Sequence, residues 1–413
     1  MERFGRPARV TPYSTAIAYW SAVRGKANAR LLPRWTNNRF WNQLGTEPVA
    51  NGTDAVRHHA DLAFAHLESM WEAHKADIDR LIFTVPGFYP REQLGLLLGM
   101  ARECGIPVAG VVDTAVAAAA TKPGGTTLLH LDIFLHRTTL TVLKADTSLR
   151  RIDTVTISET GLFTLWDRWA NIVASQFIQT SRYDPMHQAS SEQRLFDTLP
   201  EWIANRGDSR STRFELEVAG KKHEVAISRE QLLQACATIY PQIVQVIRDH
   251  IPAGETAALL VSDRFGGFPG LADSLNLIGN AAVSFLSEDA AAHGARQFES
   301  AIASGDNAVS HTTSLPVSAG TKAPTARSST HPTRMSCWDT RRAQSVPHSA
   351  SAVSRMAESS RPRRIPSVPS TPAAARPSSM CMAARSRSTA GSPARRPDSH
   401  PGTGSTWGNT HSS

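Results

Sequence analysis

Short apolar runs alternate with stretches of helical period from residue 54 to residue 277, and this alternation constrains the fold most. Leu81-Ile-Phe-Thr-Val85 is a run of strand length closed by Pro86-Gly87. Upstream, Val56, Ala60, Ala63, Leu67, Met70, His74 and Ile78 recur at three- and four-residue steps. That spacing predicts a helix over 54–79, with Thr53 or Asp54 as its N-cap. A second helix is expected over 90–104, with Pro90 in its first turn. A strand over 108–112 and a helix from Thr114 to Ala120 come next. Strands over 127–133 and 138–144 read as a hairpin joined by 134–137, and 151–157 continues the sheet. Residues 162–179 are helical by period, and 214–227 is a hairpin turning at Gly220-Lys221. Ser228 and Gln231 form a capping box that opens a long helix over 228–249. A strand over 257–262, a Gly-rich turn and a helix over 269–277 follow. The pattern is that of an α/β fold with mixed sheets.

The texture changes near Gly305. Beyond it Ser, Pro, Arg, Thr and Ala dominate, as in Arg361-Pro-Arg-Arg-Ile-Pro-Ser-Val-Pro-Ser370. Such a segment has too little apolar surface to offset the entropy of ordering, so residues 305–413 are expected to be a disordered tail. Its readings are a basic linker or arm, or a stretch without selected function, including a shifted reading frame near residue 305. The whole chain carries a net charge of +8. From Ala301 onward, 14 Lys/Arg stand against 4 acids, a surplus of ten positive charges. The other 30 Lys/Arg and 32 acids leave 1–300 at −2. The basic pI therefore belongs to the tail, and a nucleic-acid-binding face on the folded part is not indicated.

The four cysteines, Cys104, Cys236, Cys337 and Cys381, form no Cys-x-x-Cys pair, so neither a zinc knuckle nor a disulfide framework is indicated. His58, His59, His66 and His74 crowd one stretch without the i,i+4 spacing of a chelating pair. No Walker loop or Gly-x-Ser-x-Gly occurs. Trp35, Phe40 and Trp41 beside Arg34 and Arg39 read either as a partner-binding patch or as core with a charged rim. The polar first twelve residues do not resemble a secretory signal, and the apolar-leaning stretch 107–120 is too short to span a bilayer. A soluble cytoplasmic protein is expected.

Four stretches in order carry a family likeness. Thr84-Val-Pro-Gly-Phe-Tyr-Pro-Arg-Glu-Gln-Leu94 is followed by Gly105-Ile-Pro-Val-Ala-Gly-Val-Val-Asp113 and the alanines to Ala120. Next come Leu131-Asp-Ile-Phe-Leu-His-Arg-Thr-Thr-Leu-Thr-Val-Leu143 and Leu259-Leu-Val-Ser-Asp-Arg-Phe-Gly-Gly-Phe-Pro-Gly-Leu271. The last is Leu286-Ser-Glu-Asp-Ala-Ala-Ala-His-Gly-Ala-Arg296. Together they resemble the nucleotide-binding domain of DnaK-type (heat shock protein 70) chaperones, of the actin-like ATPase superfamily. Upstream, Arg9-Val-Thr-Pro-Tyr-Ser14 and the stretch from Lys26 to Pro33 resemble two further family segments, so the likeness covers nearly all of residues 11–303. It implies a two-lobed, ribonuclease H-like α/β domain over 1–304, with mixed sheets flanked by helices. No substrate-binding β-domain is expected after it.

The likeness also implies a site for ATP or ADP with Mg²⁺, held by two glycine-rich hairpins that each begin with an Asp. Such loops need glycine because backbone N–H groups must approach a phosphate closely. The first hairpin should precede Arg9, but no Asp-x-Gly stands in Met1 to Ala8. Either the start is placed late or the hairpin is lost. The second keeps its Asp as Asp132, the implied Mg²⁺ ligand, while its glycines become Phe134, Leu135 and His136. His136 and Arg137 either face an anion or cap an exposed tip. Thr114 stands where the family has a Glu that orients the attacking water, with Asp113 beside it. In the adenosine motif Ser262 and Asp263 replace two glycines, while Gly266 and Gly267 follow in shifted register. Only Arg194 supplies a basic group in the window 193–205, where the family sandwiches adenine. The expectation is a diverged DnaK-like domain with weak or absent ATP binding and hydrolysis, working with a protein partner. The alternative is a non-catalytic actin-fold scaffold of a bacterial assembly complex, and a third reading is a residual sugar- or nucleotide-sensing module.

Overall fold

The computed structural model describes residues 14–15, 26–53, 56–122, 127–206, 209–218, 220–303, 309–317 and 381–386. A short hairpin, β1 (Pro48–Thr53) and β2 (Val56–His58), leads into α1 (His59–His74). The helix expected from residue 54 thus starts five residues later, at the strand end. Asp61 fixes the start: its Oδ2 accepts from the N–H groups of Arg57 and His58, both at 2.8 Å. Asp54 itself lies outside the described residues. The buried face of α1 is Leu62, Ala63, His66, Leu67 and Trp71, rotated from the expected stripe.

Strand β3 (Ile78–Val85) takes in Ile78 and Asp79, which the spacing predicts to be helical, and helix α2 (Arg91–Glu103) follows with Pro90 as its N-cap rather than inside its first turn. Strand β4 (Val108–Asp113) runs parallel to β3 and passes directly into α3 (Thr114–Ala119), all six residues of which are buried. Strands β5 (Thr127–Ile133), β6 (Arg137–Ala145) and β7 (Ser148–Ser158) form an antiparallel meander. Two helices, α4 (Leu162–Ser181) and α5 (Ala189–Asn205), precede the hairpin β8 (Ser211–Val218) and β9 (Lys221–Ser228). The expected long helix is two helices, α6 (Arg229–Ala235) and α7 (Ile239–Asp249). The Ser228 capping box is present at the first. Pro241, which cannot continue a preceding helix but fits a first turn, sits at the start of the second. The chain continues through β10 (Ala257–Val261), α8 (Leu271–Asn276), β11 (Ala281–Phe285), α9 (Ala290–Gln297) and α10 (Glu299–Ile302).

Two further strands, β12 (His311–Thr312) and β13 (Ser314–Pro316), lie inside the expected tail, as does β14 (Cys381–Ser386). The boundary at residue 305 is therefore too early: Leu315 is 1 % exposed and belongs to the core. The remainder of the expected tail, 305–308, 318–380 and 387–413, lies outside the described residues, as does 1–13, where the first family hairpin is expected.

Two mixed sheets result. One is six-stranded, in the order β11-β10-β5-β6-β7-β13; the other is four-stranded, β12-β4-β3-β14. β5, β10 and β11 run parallel, while β6, β7 and β13 alternate. Three cores separate the layers. Trp169, Phe177, Phe214 and Ile243 pack the outer face of the larger sheet under α4 to α8. Phe40, Leu62, Leu67 and Leu97 cover the outer face of the smaller sheet beneath α1 and α2. The alanines of α3 fill the space between the sheets with Ala291, Ala295 and Ile302 of α9 and α10. There α3 and α9 cross at close range: a Cβ on Gly294 would collide with the backbone carbonyl of Ala117. Of the aromatic stretch, Phe40 and Trp41 are buried core while Trp35 is 38 % exposed; Trp41 Nε1 donates to His66 Nδ1 at 2.9 Å.

Candidate functional site

Side-chain alternation sends Leu129, Leu131 and Ile133 of β5 into the outer core and His130 and Asp132 toward the space between the sheets. β4 delivers Asp113 to the same region. Both carboxylates are buried, at 2 % exposure for Asp132 and 0 % for Asp113. His130 lies within electrostatic reach of both. Burial lowers its pKa and the two carboxylates oppose that shift. The structure thus brings Asp113 and Asp132 to one buried polar region around His130, with Ser262 at the end of the neighbouring strand β10.

Each carboxylate there has an arginine. Arg264 Nη1 stands 2.6 Å from Asp132 Oδ2, and Arg151 Nη1 stands 2.6 Å from Asp113 Oδ2. The second oxygens are used as well. Asp113 Oδ1 accepts from Ala115 N and Val116 N at 2.9 and 3.2 Å, which caps α3. Asp132 Oδ1 accepts from Ile133 N at 2.9 Å. Thr114, the first residue of α3, is 9 % exposed. Arg151 Nη1 also donates to Gly87 O at 3.2 Å and so ties the Pro86-Gly87 turn to β7. His311 of β12 feels Asp113 and Arg151; burial again lowers its pKa first.

The hairpin tip between β5 and β6 folds inward. Phe134 and Leu135 are 4 % and 3 % exposed. Phe134 stacks edge-on with Phe88, at 5.0 Å between centroids. Leu162 N and Phe163 N, the first two amides of α4, donate to Phe134 O and Leu135 O, both at 2.9 Å. A helix N-terminus is a ready anion site when its amides are unpaired; these two are closed by the tip. Gly161 permits the approach, since a Cβ there would lie 2.5 Å from the backbone of Leu135, His136 and Arg137. His136 turns its Nε2 to Asn38 O at 3.0 Å, and burial, then Arg39, push its pKa down to about 4. Arg137 lies over the Phe88 ring at 4.4 Å. Both residues are half-buried.

The turn after β10 is a 3-10 turn over Asp263–Phe265, capped by Ser262. Ser262 N donates to Leu131 O at 2.9 Å, which sets Arg264 against Asp132. Gly266 N closes the turn on Asp263 O at 2.7 Å. Gly267 has φ +78° and packs on Ala204 of α5. The expected adenine window is this helix, and it offers Gln193, Phe196 and Asp197 to a cleft of about 170 Å³ lined also by Lys26, Phe163 and Trp166.

Sequence reasoning missed Arg151, Arg264, His130 and His311. Arg264 stood inside a quoted motif without a role, whereas nothing local marks Arg151. Among the described residues no group of three or more His, Cys, Asp or Glu could hold a metal ion. Burial pushes the Cys104 and Cys236 thiols up to about 11, so both stay protonated and unreactive. No described helix is long and apolar enough to cross a membrane. No family model matches the chain, and no curated protein matches it.

The described residues do not fit Mg²⁺ with a nucleoside triphosphate. A divalent cation needs carboxylate oxygens turned to it; here guanidinium groups occupy both carboxylates, and the tip fills the approach to the α4 amides.

Proposed function

We propose that this chain is a diverged DnaK-like, actin-fold domain that has exchanged ATP turnover for a fixed shape and acts in the cytoplasm through a protein partner. Two sheets sharing a central helical layer, with the matched stretches at the inner strand ends, support the relationship. The observation that carries the loss of turnover is the pair of buried arginine–carboxylate contacts at Asp132 and Asp113. Each supplies in place the positive charge that a bound cation would otherwise bring. The glycine-free tip adds to it, because Phe134 and Leu135 are core residues and their carbonyls consume the α4 amides. A non-catalytic scaffold of an assembly complex shares this geometry and differs only in its partner.

Calorimetric titration of the full chain with ATP and with ADP, each with Mg²⁺, tests the reading. No heat of binding is expected at micromolar nucleotide, and no phosphate release. Micromolar affinity for either nucleotide would overturn it.

A further inference from the structure

Strand β11 ends the six-stranded sheet, and no described strand pairs with its other edge. Its backbone phase is fixed at both ends. Asn280 O accepts from Ala257 N at 3.0 Å, and Leu286 N donates to Val261 O at 2.8 Å. Even-numbered residues therefore face β10, and period two turns the backbone N–H groups of Val283 and Phe285 outward. Phe285 is 45 % exposed and Leu277, just before the strand, is 75 % exposed. An open edge beside large exposed apolar groups is a template for an added strand.

The strand runs into an open cleft of about 570 Å³ between α9 and the end of α3. Phe285, Leu286 and Ser287 form one wall, and Lys122 and Arg296 bring two positive charges to the others. No carboxylate of the described residues lines it. His293, also at the cleft, pairs with Asp289 at 2.8 Å. The chain's own segment beyond residue 300 carries a surplus of ten positive charges and is mismatched to this cleft.

We propose that the β11 edge and the adjoining cleft bind an extended acidic segment of a partner protein, added as a further strand with its carboxylates over Lys122 and Arg296. About seven residues would span the strand and reach the cleft, at ~3.3 Å per residue. Main-chain pairing to Val283 and Phe285 supplies affinity, and charge supplies the choice of partner.

The test uses the full chain and a fluorescein-labelled nonapeptide of alternating valine and glutamate, read by polarisation. Micromolar binding is expected, at least tenfold tighter than for the valine–lysine counterpart. Val283→Pro removes an outward N–H without touching the bonds to β10 and should weaken binding at least tenfold. The pair Lys122→Glu with Arg296→Glu should do the same, and it decides the matter if the proline variant fails to fold. No binding, equal affinity for the two peptides, or full binding by the folded variants overturns the proposal. A concentration-dependent dimer in sedimentation that Val283→Pro abolishes would assign the edge to a second copy instead and would also overturn it.

Discussion

Arg264 Nη1 lies 2.6 Å from Asp132 Oδ2, and the two residues come from the ends of neighbouring strands 132 positions apart. Removing one partner leaves the other as an uncompensated buried charge. Arg264→Ala is expected to cost about 3–5 kcal/mol. The double change Arg264→Met with Asp132→Leu removes both charges and should cost far less. Urea unfolding of the three proteins checks this; equal losses for single and double variants would mean that the pair is not the source.

Gly161→Ala tests the inward fold of the tip. A Cβ at this position meets backbone atoms at 2.5 Å, and backbone cannot step aside as a flexible side chain does. A loss of about 1–3 kcal/mol is expected. A thermal midpoint unchanged from the parent would show that the tip does not pack on α4.

The pH dependence follows from buried histidines. The folded-state pKa of His136 is pushed down to about 4, from the ordinary imidazole value of 6.5. Between those values the unfolded chain binds a proton that the folded chain refuses. Stability is therefore full above about pH 6.5 and falls as pH drops, by about 3 kcal/mol once pH 4 is reached. His130 and His311 are shifted in the same direction and add to the slope. Unfolding free energies measured from pH 8 to pH 4.5 should show this fall, and His136→Gln should flatten it. An identical slope in the variant would rule out His136 as a source.

Leu315 reports on where the folded body ends. It is 1 % exposed between the sheets, so Leu315→Ala should cost about 2–4 kcal/mol. A residue in an unfolded tail would change stability by no more than ~0.5 kcal/mol. Chemical denaturation separates the two outcomes.

Much of the architecture was legible because its signals are local. The hairpin from 127 to 145, the β8–β9 turn at Gly220 and the Ser228 capping box each rest on residues within a few positions of one another. The helix starts later than the Asn51-Gly-Thr-Asp54 cap signal suggests because the β1–β2 pairing keeps residues 56–58 extended, and Asp61, the third helical residue, reaches back to the amides of Arg57 and His58. Helix α5 escaped notice with Pro200 in its interior. The polar run His311-Thr-Thr-Ser-Leu-Pro316 has no strand pattern; it is held by backbone bonds to strands far away in sequence. The site was half legible. Asp113 and Asp132 do converge, but their arginine partners could not be read. Arg151 reaches Asp113 across 38 residues and from one sheet to the other, and no periodicity records such a contact.

The segment from 309 to 317 joins the two sheets. Its first strand is zipped to β4 in one sheet and its second to β7 in the other, with Thr313 alone between them. Thr313 O also accepts from Arg151 N at 3.0 Å. Only the two backbone dihedrals of Thr313 lie between the two pairings, so the segment staples one sheet to the other. Any sliding of one sheet against the other would first have to break the backbone bonds of this staple.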